Sequence, residues 1–465
     1  MRRVFALAGA LVLAGCAGFS PDGGVSLVNN VTQPALTHAV AAQRTPEQAE
    51  DARARVKALL RRPLSADSAV QIALLNNREL QAALNALGIS EAAMVQASLP
   101  PNPTVSLSRI AGGGAVEIEG RIVASVLMLA MLPARADIAA DRFRQAQLQA
   151  ASETLRIASE ARRAYTGAVA SRALVVSLTQ ARESGEAAAQ LARRLGETGA
   201  MNKLDQARNQ AFHAELAGQL ATARQRAMSE RERLVRALGL WGEDLGFRLP
   251  DALPALPRVR ALGDVEVEAV RRRVDLQIAR MEADALAKSH GLSGATRFLN
   301  LLDAAGIAKT TRENGETLRE RGFEVELQVP LFDFGAVRMR QAEESYMQAV
   351  NRLAAKAVNV RSEAREAYQT YRAAYDIARH YRREVLPLRQ IISEEMLLRY
   401  NAMQIDVFAL LAEARQRIAA HSAALEAERA FWLAEANLRA ALIGGGTATS
   451  ETTVSAGATE APGGH

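Results

Sequence analysis

The chain has 465 residues, of which 49% are apolar and only 4% aromatic, and its 57 Lys and Arg exceed its 51 Asp and Glu to leave a net charge of +6. So few aromatics beside so much alanine argue against one thick globular core and for long helices that approach closely. The surplus positive charge is spread as Arg and Glu along helical faces, with no basic cluster or interleaved aromatics, which argues against nucleic-acid binding.

Residues 1–15 read as a lipoprotein signal peptide: Met1-Arg-Arg3 is a charged start, Val4 to Leu13 a short apolar core, and Leu13-Ala-Gly-Cys16 a lipobox. That core is too short to remain as a membrane helix. Cys16, the only cysteine, sits where bacterial lipoproteins carry a thioether-linked diacylglycerol; an ordinary buried cysteine is the competing reading. Two acyl chains on the glycerol and a third, such as palmitate, on the new amine would anchor the chain stably. Ala17 in place of Asp favours sorting to the outer membrane, and a single cysteine allows no intrachain disulfide. Residues 16–44 are the lipidated N-terminus and an aperiodic tether rich in Gly, Ser, Asn and Pro.

A first repeat spans 45–239. Thr45-Pro-Glu47 starts a helix to about Leu60, and Ser65 caps another that continues to about Ala97. Between Leu99-Pro-Pro-Asn-Pro103 and Leu132-Pro133 the composition changes: Thr104 to Ile110 and Val116-Glu-Ile-Glu119 flank Ala111-Gly-Gly-Gly114, which predicts a β-hairpin within about 103–130. The apolar run Ile122 to Leu132 is shorter than the roughly 18 residues of a membrane helix but long enough for a spanning strand of about 9 to 11. Arg135 to Leu195 is a proline-free helix with Leu148, Leu155, Val169 and Val176 on one heptad seam and Ala151, Ala158 and Tyr165 beside it. Gly196-Glu-Thr-Gly199 breaks it, and helix resumes from about Asn202 to Leu238.

Residues 240–262, with Trp241, Pro250, Pro254 and Pro257, form an inter-repeat linker. A second repeat spans 263–443: helix from Asp264 to about Ser289, a hairpin within about 295–330 whose strands Phe298 to Ile307 and Phe323 to Val329 flank a polar loop Thr310 to Arg321, then Pro330-Leu-Phe-Asp-Phe-Gly335. Helix runs from Ala336 to Tyr400-Asn401 with a kink expected at Pro387. The last helix carries the heptad Leu411, Ile418, Leu425 and Trp432, and 444–465 is expected to be a disordered tail.

The halves match in places: Ala161-Arg-Arg-Ala-Tyr165 with Ala364-Arg-Glu-Ala-Tyr368, Leu80-Gln81 with Leu276-Gln277, and Ala200-Met201 with Ala402-Met403, at spacings of 203, 196 and 202. A duplication explains this shared order. In the first half one helix of roughly 90 Å faces two shorter ones totalling roughly 105 Å, so each long helix can pair with two short ones end to end. The fold class expected is mainly α with a small β portion, in two tandem units of helix, hairpin and long helix.

Alternation in the second island puts Phe323, Val325, Leu327 and Val329 on one face and Glu324, Glu326 and Gln328 on the other; Val116 and Ile118 alternate likewise with Glu117 and Glu119. A half-buried soluble sheet fits that pattern as well as a membrane sheet. Four strands cannot close a barrel, whereas three chains pooling theirs would give twelve. The six histidines show no His-x-x-x-His spacing, and no cofactor or metal site is expected. Methionines such as Met128, Met131, Met396 and Met403 read as gap fillers, and His421 as a packed residue.

Ser65 to Asn77, Leu99-Pro-Pro-Asn-Pro103, Leu132-Pro-Ala-Arg135, Pro330 to Gly335 and Leu398-Arg-Tyr-Asn-Ala-Met403 together resemble the TolC family of outer-membrane efflux factors, over about Leu64 to Leu442. The resemblance implies a non-enzymatic homotrimer with a twelve-stranded barrel in the outer membrane and a twelve-helix tube in the periplasm. Substrate would enter from an inner-membrane transporter through a periplasmic adaptor. It also implies a constriction at the periplasmic turns: Asp406 for an acidic ring, with Ala409 where a second Asp can occur, and Asp205 with Lys203 and Arg399 for links between hairpins. Gly199, Ala200, Ala402 and Met403 would be adaptor-docking tips, and Glu117, Glu119, Glu324 and Glu326 would face the lumen. An exit duct for type I protein secretion, and a periplasmic coiled-coil scaffolding lipoprotein without a pore, are the alternatives.

Overall fold

The computed structural model describes residues 18–259 and 263–446. The expected signal peptide, Cys16 and the tail beyond 446 lie outside the described residues. The chain forms two compact units, each drawing on both sequence halves. One gathers the N-terminal segment to Pro46, Arg78–Glu153 and Arg273–Val360; the other gathers Glu47–Asn77, Thr154–Arg272 and the chain from Arg361.

The first unit holds the strands. In order it contains α1 (Val25–Thr32), then α4 (Arg78–Ser98), which follows α2 (Pro46–Leu60) and α3 (Ala66–Asn76) in the chain. Next come β1 (Thr104–Gly112), β2 (Ala115–Ser125), α5 (Val126–Ala130) and the start of α6 (Leu132–Glu197). After α7 (Lys203–Leu238) and α8 (Val265–Arg272) the chain returns with α9 (Val274–Ala295), β3 (Leu301–Glu313), β4 (Glu316–Gln328) and the start of α10 (Ala336–His380). The four strands make one antiparallel sheet in the order β1-β2-β3-β4.

Both hairpins turn through two residues with positive φ, Gly113 (61°) with Gly114 (85°) and Asn314 (49°) with Gly315 (89°). Such turns match the twist of the flanking strands and set register. The long polar loop expected at Thr310 to Arg321 is therefore absent: strand pairing continues to Glu313↔Glu316. Its charged residues are exposed on paired strands rather than gathered in a loop. The expected strand through Ile122 to Leu132 instead stops at Ser125, where β-branched residues give way to Leu, Met and Ala and a short helix follows.

The N-terminal segment, expected as a bare tether, is docked. Val28, Leu36 and Val40 are buried, and Asn29 both donates to the Val40 carbonyl (3.0 Å) and accepts its N–H (2.7 Å). Gln81 of α4 accepts from Gln43 N–H (2.9 Å) and donates to the Ala41 carbonyl (3.3 Å), while Gln147 donates to the Gly24 carbonyl (3.2 Å). Amide side chains bonding to irregular backbone leave no periodicity to detect.

The second unit is helical. It contains α2, α3, most of α6, α7, α8, the remainder of α10, α11 (Leu386–Asn401) and α12 (Val407–Ile443). Leu155, Ala158, Tyr165 and Val169 of the α6 seams are buried, and Tyr165 donates to the Leu64 carbonyl at 3.1 Å. On α12 the buried stripe is Ala424, Ala427, Phe431, Ala434 and Leu438, beside the expected heptad, so small residues bring helices close. Phe431 lies 5.5 Å from Tyr371 and 5.6 Å from Tyr375. The linker packs as well: Leu240, Phe247, Leu249 and Leu253 are buried, and Trp432 donates to the Pro254 carbonyl.

Two helices expected to be continuous are broken at equivalent places. Asn77 (ψ 122°) and Arg273 (ψ 120°) are extended, 196 residues apart, the spacing of Leu80-Gln81 and Leu276-Gln277. The irregularity expected at Pro387 appears as a π-helical turn at Tyr381–Val385. It contains Arg383, whose carbonyl the proline ring would otherwise strike.

Arg273, nearly fully buried, is neutralised by Asp275 (2.8 Å), which Lys356 also approaches (3.7 Å). Burial works to raise the Asp275 pKa, but the hydrogen bonds and charge of Arg273 outweigh it and hold it below the usual 3.8. A depressed carboxylate pKa stabilises the fold above the unfolded value and loses that contribution as pH falls through the folded one. Asp275→Asn should therefore cost about 2 kcal/mol near neutral pH and flatten the acid limb of stability against pH, as measured by urea unfolding.

Candidate functional site

Register divides the sheet into two unlike faces. One carries Val105 and Leu107, Val116, Ile118 and Ile122, Leu302 and Ala304, then Phe323, Val325 and Leu327. Much of it is bare: Phe323 is 87% exposed and Leu107 78%. The other carries all four expected lumen residues, Glu117, Glu119, Glu324 and Glu326, with Ile110, Val123, Leu301, Ile307 and Leu318 as larger apolar exceptions. Two carboxylates on it are paired across strands, Glu117 with Lys309 (2.9 Å) and Glu324 with Arg121 (2.8 Å). At both margins, β1 and β4 leave an edge with no partner strand among the described residues.

Where the strands meet helices, Phe298, Phe332 and Phe334 are exposed. The turn presenting the last two is tight. Phe334 has φ 48°, Arg297 donates to its carbonyl (2.9 Å), and a Cβ on Gly335 would come within 2.4 Å of the Arg297 carbonyl oxygen. Only glycine fits there, which explains Pro330-Leu-Phe-Asp-Phe-Gly335 in physical terms.

In the helical unit the turns α6–α7 and α11–α12 are built alike. Gly199 (φ 77°) and Met403 (φ 58°) are left-handed. The following N–H groups, of Ala200 and Gln404, close onto the Leu195 and Arg399 carbonyls at 2.8 and 2.9 Å. Three residues after each left-handed position comes an N-cap: Asn202 accepts from Asp205 N–H and Asp406 from Ala409 N–H, both at 2.9 Å. The equivalent positions are thus 204 apart, pairing Gly199 with Met403, whereas the match Ala200-Met201 with Ala402-Met403 is two residues out of register.

Gly199, Ala200, Ala402 and Met403 are all exposed, Met403 at 94%. Asp406 is exposed at the start of α12, Asp205 lies in the first turn of α7, and Lys203 is exposed beside it. The expected link from Asp205 to Arg399 does not form within the chain. Arg399 pairs along its own helix with Glu395 (3.1 Å), and Asp205 accepts from Asn202 (2.9 Å) with Arg208 at 4.0 Å.

Arg208, which sequence reasoning passed over, also lies on the Phe408 ring, 3.9 Å from its centroid, and so joins the two turns. It begins a series between the parallel helices α7 and α12: Arg415 with Glu215 (3.2 Å), Arg226 with Glu426 (3.5 Å) and Arg429 with Glu230 (3.7 Å). Every pair is offset by 199 or 200 residues, as two helices running side by side in one direction require. Nearby, a cleft of about 720 Å³ lies among α6, α7, α11 and α12, and Arg389 on its wall donates to buried Glu413 (3.1 Å) and to Gln416 (2.8 Å). Among the described residues no cluster of His, Cys, Asp and Glu is arranged to hold a metal ion, and no helix is long and apolar enough to cross a membrane.

No family model and no curated protein matches the chain. Several solved structures are similar to it. With CusC, described in terms of folding and transmembrane channel formation, it shares 16% identity over 82% of this chain and 92% of that one, with a TM-score of 0.68. With the CmeC outer membrane channel of Campylobacter jejuni the values are 15%, 83%, 87% and 0.68. With the outer membrane protein VceC of Vibrio cholerae they are 13%, 82%, 96% and 0.67.

The two turns differ in one testable respect: a methionine occupies the left-handed position that glycine takes in the other. Met403→Gly should stabilise the helical unit by about 0.5–1 kcal/mol by removing backbone strain, and Asp406→Ala should cost about 1 kcal/mol of capping. Chemical denaturation of both variants, followed by helical circular dichroism, checks the opposite signs.

Proposed function

We propose, for a chain that has the fold of the TolC-like outer-membrane channels, that it is the outer-membrane component of a tripartite efflux system. It acts as a passive homotrimeric duct for small molecules or metal ions and performs no catalysis. The observation that carries this reading is the sheet: one bare apolar face, one acidic face and two unpaired edges. In hydrocarbon every backbone N–H and C=O needs a partner, so an open edge is untenable and β4 of one protomer must pair with β1 of the next. Three protomers close a twelve-stranded barrel, an even number in the known range. Glu117, Glu119, Glu324 and Glu326 then line water, while Phe323, Val325 and Leu327 meet lipid.

At the turn between α11 and α12, Asp406 spends one carboxylate oxygen on the Ala409 N–H and caps the N-terminus of α12. Three copies around an axis form an acidic ring that attracts cations and repels itself. The exposed turns Gly199-Ala200 and Ala402-Met403 serve as docking points for a periplasmic adaptor, which couples the duct to an inner-membrane transporter. Acylation of Cys16 adds an anchor in the outer membrane.

The deciding experiment is planar-bilayer conductance of the purified full-length protein against Asp406→Ala. A small cation-selective conductance should lose selectivity or grow in the variant. An unchanged conductance would remove Asp406 from the constriction. A protein that stays monomeric and never inserts would overturn the duct and leave a non-pore scaffold.

A further inference from the structure

The apolar face of the sheet is not apolar to its end. Toward the two hairpin turns it carries Arg109 on β1, Arg312 on β3, and Arg319 and Arg321 on β4. Arg109 and Arg319 lie in one cross-strand row through Ile118 and Thr310; Arg321 lies in the next, with Leu107, Gly120 and Ala308. All four arginines are exposed, and no Asp or Glu shares their face anywhere along the strands. The carboxylates of the sheet are on the opposite face. The charges are therefore segregated through the thickness of a single sheet, and the arginines have no internal partner on their side.

Directly beside them the face is hollowed. Gly120, Gly306 and Ala308 floor a trough of about 580 Å³, walled by Val105, Leu107 and Ile122, and Arg321 stands at its edge. A Cβ built on Gly306 would meet nothing within 4 Å, so the hollow is open to an outside occupant. The opposite end of the sheet carries exposed Phe298, Phe332 and Phe334 instead. One margin of the apolar band thus has the rings suited to a lipid–water boundary. The other has guanidinium groups, which bind phosphate oxygens in pairs.

Resting on the membrane-spanning reading of the sheet, we infer that this trough and its arginine rim bind a phosphate-bearing lipid of net negative charge in the leaflet reached by the hairpin turns. A hydrocarbon chain lies over Gly120, Gly306 and Ala308, and the headgroup phosphate meets Arg321 with Arg109, Arg312 and Arg319 around it. Cationic side chains facing hydrocarbon are costly unless they reach an anionic headgroup plane, and the charge of these four complements that plane. Closure would bring the Arg319 and Arg321 edge of one protomer beside the Arg109 edge of the next, so each seam gathers arginines from two chains and the lipid bridges subunits.

The test uses the full-length trimer in phosphatidylcholine vesicles, with or without doubly phosphorylated lipid A. Lipid kept through mild detergent extraction is assayed for composition, and the temperature at which the oligomer dissociates is recorded. Wild type should retain lipid A well above its share in the vesicle and dissociate at a higher temperature with it. The enrichment should fall as salt rises. Replacing all four residues (Arg109→Gln, Arg312→Gln, Arg319→Gln, Arg321→Gln) should reduce enrichment about ten-fold or more, and the corresponding Lys replacements should keep most of it. Inserted trimers with no enrichment, or with enrichment indifferent to salt and to the Gln replacements, would overturn the lipid site and leave the duct intact. Failure of the wild type to insert in any vesicle would overturn the duct itself, and the lipid site with it.

Discussion

Everything in the strand-bearing part of this chain depends on the need of backbone N–H and C=O groups for partners. Two glycine-containing two-residue turns make two hairpins, and pairing β2 to β3 joins them into one sheet. Pairing stops there, leaving a nine-residue edge strand and a thirteen-residue one. In water such edges invite aggregation; in lipid they are not tolerated. The sheet is left open at both margins, and on the proposed reading neighbouring protomers would close it. On one face of the sheet, large apolar side chains such as Phe323, Leu107 and Val105 are bare.

The helical part meets a different constraint. With small residues along the packing stripe of α12, helices come close but bury little area per residue. Specificity falls to longer side chains at the margins, and α7 and α12 are held parallel by arginines that each find a carboxylate or a ring on the other helix. Exposed pairs of this kind contribute little energy singly. Their value here is in register, because each pair is satisfied at only one offset between two helices that could otherwise slide.

Much of this was legible beforehand. Helix limits, the two β islands, the capping role of Ser65 and the shared face of the four glutamates follow from period, proline and turn chemistry. What could not be read divides by cause. The breaks at Asn77 and Arg273 sit in good helical sequence and reflect side chains satisfied elsewhere, such as Asn77 donating to the Ala237 carbonyl. Strands through Thr310 to Arg321 were hidden because both faces there are polar, which erases alternation as a signal. The docking of the N-terminal segment lacked a pattern altogether. The equivalence of Gly199 with Met403 escaped notice because backbone conformation, not residue type, is what repeats.

That docked segment changes what an anchor at the N-terminus would do. Ser20 donates through both its N–H and its hydroxyl to Glu91, a buried carboxylate of α4. Only three residues separate Ser20 from Cys16, so acyl chains on that cysteine could reach no farther than ~14 Å of extended backbone from this contact. A loose leash would let the body ride at any height beneath the bilayer. If Cys16 carries the proposed anchor, a leash pinned this close to its origin would work as a depth gauge, setting the level of α4, and of the sheet that follows it, against the lipid surface.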